Sequence, residues 1–128
     1  MPNNTYIIAE IGINHDGKIK NIIKLIKLAK KAGANAVKFQ LYLPKTLSNK
    51  NDKTKYKLFK KNKKESIFQM WSRLAIKNIW LKKIEKECLN NKIDLGFSVF
   101  DEFNLNKLDK IKYNFLKIAS GDINDLHL

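Results

Sequence analysis

The sequence predicts an α/β fold of parallel strand–helix units. Two observations carry this. Four short apolar runs, at residues 6–11, 36–40, 93–99 and 114–119, have the length and residue types of buried strands, and amphipathic runs of helical period separate them. The first and last runs break into small polar loops, residues 12–17 and 120–125, of the kind that carries function beyond a parallel strand. Strands alternating with helices imply a parallel sheet with right-handed crossovers.

Each element follows in order. Residues 6–11 are an apolar, β-branched strand with one acid, Glu10, set inside it. A carboxylate in a buried strand is costly unless paired or used. Residues 19–32 read as a helix. Ile19, Ile22, Ile23, Ile26, Ala29 and Ala32 keep the three-and-four spacing of one face, and Lys20, Lys24, Lys27 and Lys31 fall on another. Gly33 suits the left-handed position that ends a helix. Residues 36–40 are the second strand, where Lys38 is a charge in a strand that should be covered on both faces. From Leu41 to about Glu65 the pattern dissolves. Pro44 interrupts any ladder. Nine lysines between Lys45 and Lys64 face a single acid, Asp52, so the segment reads as a long, mobile, polar insertion. Residues 66–74 form a short helix with Ile67, Phe68, Met70 and Trp71 as its apolar side. In the helix expected over 78–91 the stripe is Ile79, Trp80, Ile84, Cys88 and Leu89, with Lys82, Lys83, Glu85, Lys86 and Glu87 wet. Residues 93–99 are the third strand. Asp101 caps a helix reaching about Lys110, with Phe103, Leu105 and Leu108 packing inward. Residues 114–119 are the fourth strand, and it holds Lys117.

The totals narrow the class. A chain of 128 residues holds one domain or less. It contains no run of 18 apolar residues, so no membrane span is expected. The first residues lack a basic segment followed by an apolar one, which speaks for a cytoplasmic protein without a signal peptide. The single cysteine, Cys88, rules out an internal disulfide and reads as an inert, partly buried thiol. The net charge of +14 invites a nucleic-acid reading, but 25 of the 26 basic residues are lysine and only Arg73 offers the arginine fork that phosphate and base readers favour. The lysines read as solvated helix faces, and no nucleic-acid partner is expected.

Strand alternation then places the polar strand residues. With Val37 and Phe39 toward the helices, Lys38 faces the other side. The same parity sets Glu10 against Ala9 and Ile11, Ser98 against Leu95 and Phe97, and Lys117 against Leu116 and Ile118. All four share one side of the sheet, near the strands' C-terminal ends. In a closed barrel that side is the interior, and its top holds the active site. Two ammonium groups and a carboxylate converging there would bind a small, highly charged anion. A structural ion pair bracing the sheet is the alternative. His15 suits a ligand or acid–base role, or a loop hydrogen bond. No His, Cys and Asp have the spacing of a complete metal site, and neither a phosphate-loop lysine motif nor G-x-G-x-x-G is present.

Three ordered motifs add to this reading. Ile7-Ile-Ala-Glu-Ile-Gly-Ile-Asn-His-Asp-Gly17, Ala32-Gly-Ala-Asn-Ala-Val-Lys-Phe-Gln40 and Leu116-Lys-Ile-Ala-Ser-Gly-Asp122 resemble the sialic acid synthase family, which makes N-acetylneuraminate and the related legionaminate and pseudaminate. The resemblance implies a TIM-type barrel, usually followed by a small antifreeze-like domain. Residues 1–128 would form its N-terminal half, about four strands, without the second half or the antifreeze-like domain. It implies condensation of phosphoenolpyruvate with an N-acylated mannosamine-type sugar, releasing phosphate. Glu10 and Asp122 would face the sugar, and Lys38, Ser98, Lys117 and Ser120 would hold phosphoenolpyruvate, with His15 and Gln40 also on the substrate side. A divalent metal, manganese or magnesium, would polarise the sugar aldehyde, its ligands lying outside this chain. A truncated or split form would be inactive alone and would need the missing half-barrel or a homodimer. The competing expectation is a non-catalytic, basic binding module on the same fold.

Overall fold

The computed structural model describes residues 5–52, 54–57 and 64–128. Four parallel strands form the main sheet: β1 (Ile8–Gly12), β2 (Ala36–Leu41), β5 (Asp94–Val99) and β6 (Phe115–Lys117), in that spatial order. Between β2 and β5 lie α2 (Pro44–Leu47), a two-stranded antiparallel hairpin of β3 (Lys55–Lys57) and β4 (Lys64–Ser66), α3 (Ile67–Leu74) and α4 (Asn78–Asn90). Helix α1 (Ile19–Lys31) joins β1 to β2, and α5 (Glu102–Leu108) joins β5 to β6. Each new strand of the main sheet adds on the same side as the last. A doubly wound sheet would reverse direction; this one progresses like an arc of a barrel wall.

The helices cover one face. Val37, Phe39 and Leu41 of β2 and Leu95, Phe97 and Val99 of β5 pack with Ile22 and Ile26 of α1, Leu81, Ile84 and Cys88 of α4, and Leu108 of α5. This is the face assigned to the helices by the alternation of Val37 and Phe39. The ring of Phe97 lies 6.2 Å from that of Phe39. At the C-terminal end of α1, Gly33 adopts φ +87 and the Ala34 N–H donates to the Ala29 carbonyl, the expected left-handed stop. The termini of the strands are also tied: the Tyr6 hydroxyl donates to Asp94 across the start of the sheet.

Three expectations change. In α4 the buried residues are Leu81, Ile84, Glu85 and Cys88, whereas Ile79 is 81% and Leu89 62% exposed. Leu81, Ile84 and Cys88 hold the stricter three-and-four spacing, and Glu85 joins them because both its oxygens are used. Glu85 accepts from the Lys112 backbone N–H at 2.8 Å and from Lys82 at 3.0 Å. In α5, Leu108 is buried but Phe103 is exposed, its ring under the Lys107 ammonium at 3.7 Å. The segment read as a patternless insertion contains α2 and the hairpin. Pro44 stands at the start of α2, where its missing N–H costs nothing, and the hairpin register runs Lys55 to Ser66 and Tyr56 to Glu65. The reading of Lys53 and of residues 58–63 lies outside the described residues.

Candidate functional site

The face of the sheet turned away from the helices carries the charges. Register sets Glu10 beside Lys38, Lys38 beside Gly96, and Ser98 beside both Gln40 and Lys117. Partners in register share a face, so strand pairing alone brings these side chains to one surface. Lys38 ion-pairs with Glu10, and its ammonium donates to Ser98 Oγ at 2.8 Å. Lys38 is 13% exposed in its side chain and Ser98 3% overall. An ammonium has three donors. Glu10 and Ser98 take two, which leaves a third for an incoming acceptor.

Two glycines on this face make room for neighbouring side chains. Gly96 is covered by the Phe115 ring, and a methyl group there would begin 2.2 Å from a ring carbon. Gly12 has φ +51, and a side chain there would begin 3.0 Å from Glu10 Oε1 and 3.7 Å from Gln40 Nε2. Glu10 and Gln40 therefore converge where the chain leaves β1. Lys117 lies on the same face at the edge strand and is exposed. Ser120 and Asp122 sit in a short 3-10 turn after β6. Ser120 is exposed, while Asp122 is half-buried with Oδ2 enclosed and without a hydrogen-bond partner among the described residues.

Of the two roles expected for His15, the structure shows the loop hydrogen bond. His15 is 0% exposed, so its ring cannot meet a substrate in the fold as described. Its Nδ1 accepts the Gly17 N–H at 3.1 Å, its carbonyl accepts from Asn21, and Nε2 has no hydrogen-bond partner among the described residues. Burial pushes its pKa below the usual histidine value. A neutral ring that accepts at Nδ1 shapes the β1–α1 loop from within.

Arg73 is a functional candidate that the sequence reading did not single out. Its guanidinium forks onto Glu65 at 3.1 and 2.7 Å and reaches Asp16 at 2.6 Å. The Glu65 hydrogen bond holds the Arg73 pKa above its ordinary value. An aromatic group supports the same end of the sheet: the Tyr42 ring meets Trp71 edge-on at 5.0 Å and Phe100 at 6.5 Å. The signal available in sequence was Arg73 itself, one fork among 25 lysines.

Among the described residues no three His, Cys, Asp or Glu gather in a way that would hold a metal ion. The divalent metal that the family resemblance implies finds no ligand set among these residues. Among the described residues no helix is long and apolar enough to cross a membrane.

Known proteins resemble this chain in sequence and fold. The chain is 36% identical over 123 residues to the spore coat polysaccharide biosynthesis protein SpsE of Bacillus subtilis, covering 96% of this chain and 32% of that protein. It is 34% identical to the pseudaminic acid synthase of Campylobacter jejuni, over 94% of this chain and 35% of the synthase. It is 33% identical to the N-acetylneuraminate-9-phosphate synthase of Drosophila melanogaster, over 100% of this chain and 34% of that protein. The fold matches the crystal structure of an N-acetylneuraminic acid synthetase from Leptospira borgpetersenii in complex with citrate, with a TM-score of 0.81 and 28% identity over 98% of this chain and 39% of that one. The chain thus spans about a third of the length of the relatives it matches. A model of the NeuB family matches residues 25–128. The match takes in most of the chain, including β2, β5, β6 and the turn after it; the chain belongs to the NeuB family.

Proposed function

We propose that this chain supplies the phosphoenolpyruvate-binding side of a nonulosonic acid synthase. The observation that carries the reading is the contact of Lys38 with both Glu10 and Ser98 on the open face of a parallel sheet. The names of the relatives, pseudaminic acid synthase and N-acetylneuraminate-9-phosphate synthase, support the product class. Lys38, Ser98, Lys117 and Ser120 hold the phosphate and carboxylate of phosphoenolpyruvate, with Gln40 beside them. Glu10 and Asp122 face the hydroxyls of an N-acylated mannosamine-type sugar. The enol carbon then forms a C–C bond to the sugar's aldehyde carbon, whose oxygen takes up a proton. Water adds to the phosphate-bearing carbon, and phosphate leaves with the electron pair of its C–O bond as the keto group forms. The lysines offset the donor's negative charge throughout. The 128 residues bind the donor but complete no turnover by themselves, because the sugar aldehyde needs activating groups that the described residues do not offer.

The test is titration of the chain with phosphoenolpyruvate by calorimetry. Lys38→Met, which keeps the length of the side chain and removes its charge, lowers affinity at least about tenfold. Equal affinity for the variant and the unchanged chain would defeat the reading. The net charge of +14 favours one other reading, a basic binding module. Tighter, salt-sensitive binding of random DNA than of phosphoenolpyruvate would establish that reading instead.

A further inference from the structure

We propose that Arg73 is a positioning residue for this site: it clasps the insertion between β2 and α4 onto the β1–α1 loop and so fixes Glu10. The proposal deepens the function above and rests on it for the identity of the ligand.

The loop from Gly12 to Gly17 is a strained piece of backbone. Gly12, Asp16 and Gly17 all have positive φ, at +51, +51 and +64. Glycine adopts such values freely, but Asp16 does so at a cost that its surroundings must cover. Inside the loop the Asn14 N–H donates to the Ile11 carbonyl at 2.9 Å and the Gly17 N–H to the His15 ring. These bonds stiffen the loop, and the Asn21 side chain ties its His15 carbonyl to α1.

A tie to a more distant element comes from α3. Arg73 Nη1 meets Asp16 Oδ1 at 2.6 Å while Nε and Nη2 fork onto Glu65 of β4. The Arg73 backbone adds a second, independent contact. Its carbonyl lies so near Gly17 that a methyl group there would begin 2.2 Å from the oxygen. One residue therefore pins Asp16 by charge and Gly17 by close packing. Lysine cannot reproduce the fork, and this is the single arginine of the chain. At the other end of the same loop Gly12 abuts the Glu10 carboxylate and Gln40. A stiff loop anchored at Asp16 and Gly17 sets where Gly12, and with it Glu10, stands. The clasp also holds the hairpin, with Lys55 and Lys64, to the end of the sheet where Glu10 emerges.

The test compares Arg73→Gln, Arg73→Lys and Asp16→Asn in the 128-residue chain by NMR. In R73Q the Gly17 amide exchanges with solvent at least about tenfold faster, while the Ile26 and Phe97 amides keep their rates. The Glu10 carboxyl carbon signal moves, that of Glu85 does not, and R73K returns part of the effect. Asp16→Asn removes one arm and leaves the Glu65 fork, so it gives a smaller change in the same signals and guards against a fold too weakened to read. Phosphoenolpyruvate affinity falls about threefold or more in R73Q. Unchanged Gly17 exchange in R73Q would overturn the clasp, and faster exchange with an unmoved Glu10 signal would overturn the positioning role. Failure of the unchanged chain to bind phosphoenolpyruvate would defeat the function proposed above, and the Glu10 signal would still decide this one.

Discussion

At the scale of single residues, His15 and Cys88 show what burial does to a titratable group. The His15 ring is enclosed and neutral, burial holding its pKa below the ordinary histidine value. The unfolded chain therefore takes up the proton first as pH falls, and stability is lost in that direction. It is fully present above about pH 6.5, the unfolded value, and is lost as pH falls below it. Protonation would also abolish the Nδ1 acceptor that holds the Gly17 N–H. His15→Gln, which cannot titrate, should flatten the urea midpoint between pH 7 and 5, and an equally steep decline in H15Q would place the titration elsewhere. Cys88 lies among the core residues, where burial pushes the thiol up to about 12. It is buried more fully than the partly buried thiol that its place in a helical pattern suggested. Labelling by a disulfide reagent at pH 8 should be on the order of 100-fold slower in the native chain than in urea.

At the scale of elements, period-2 alternation decided the most. Parity alone separated Val37, Phe39, Leu95 and Phe97 from Glu10, Lys38, Ser98 and Lys117, and strand pairing keeps that separation. The same reasoning put Gly96 on the side of Ser98, but it could not see the Phe115 ring that covers it. Helical period was a weaker guide. In α4 two overlapping stripes satisfied it, and only the Lys112 backbone, distant in sequence, selects the one containing Glu85. The insertion was illegible for another reason: β3 and β4 are three residues each, too short for any period to register. The capping box of α3 was readable in principle, since Ser66 accepts from the Gln69 N–H at 3.2 Å and Gln69 accepts from the Ser66 N–H at 2.8 Å. Two substitutions test elements. Ser66→Ala should cost about 1 kcal/mol by chemical denaturation. Gly96→Ala, forced against the Phe115 ring, should cost about 1–3 kcal/mol; a loss below that of S66A would mean the ring moves aside freely.

At the scale of the whole molecule, two features oppose one another. The main sheet has two outer strands, β1 and β6, whose unpaired N–H and C=O groups can pair with another chain. Apolar side chains are exposed along both, Ile7 and Ile8 at one edge and Leu116 and Ile118 at the other. Against this stands a net charge of +14, which repels copies of the chain from one another. Salt decides the balance, because the screening length falls from about 10 Å at 0.1 M to about 3 Å at 1 M. Edge pairing between like-charged chains should therefore strengthen with salt, the opposite of any binding driven by attraction of lysines to an acidic partner. In sedimentation experiments the mean mass of the 128-residue chain should rise as salt is raised from about 0.05 to about 0.5 M. Ile118→Lys, a charge placed on the β6 edge, should suppress the rise, whereas a charge at Ile79, 81% exposed on α4, should leave it intact. Association that weakens with salt, or that I118K does not touch, would show that the copies meet through some surface other than the open ends of the sheet.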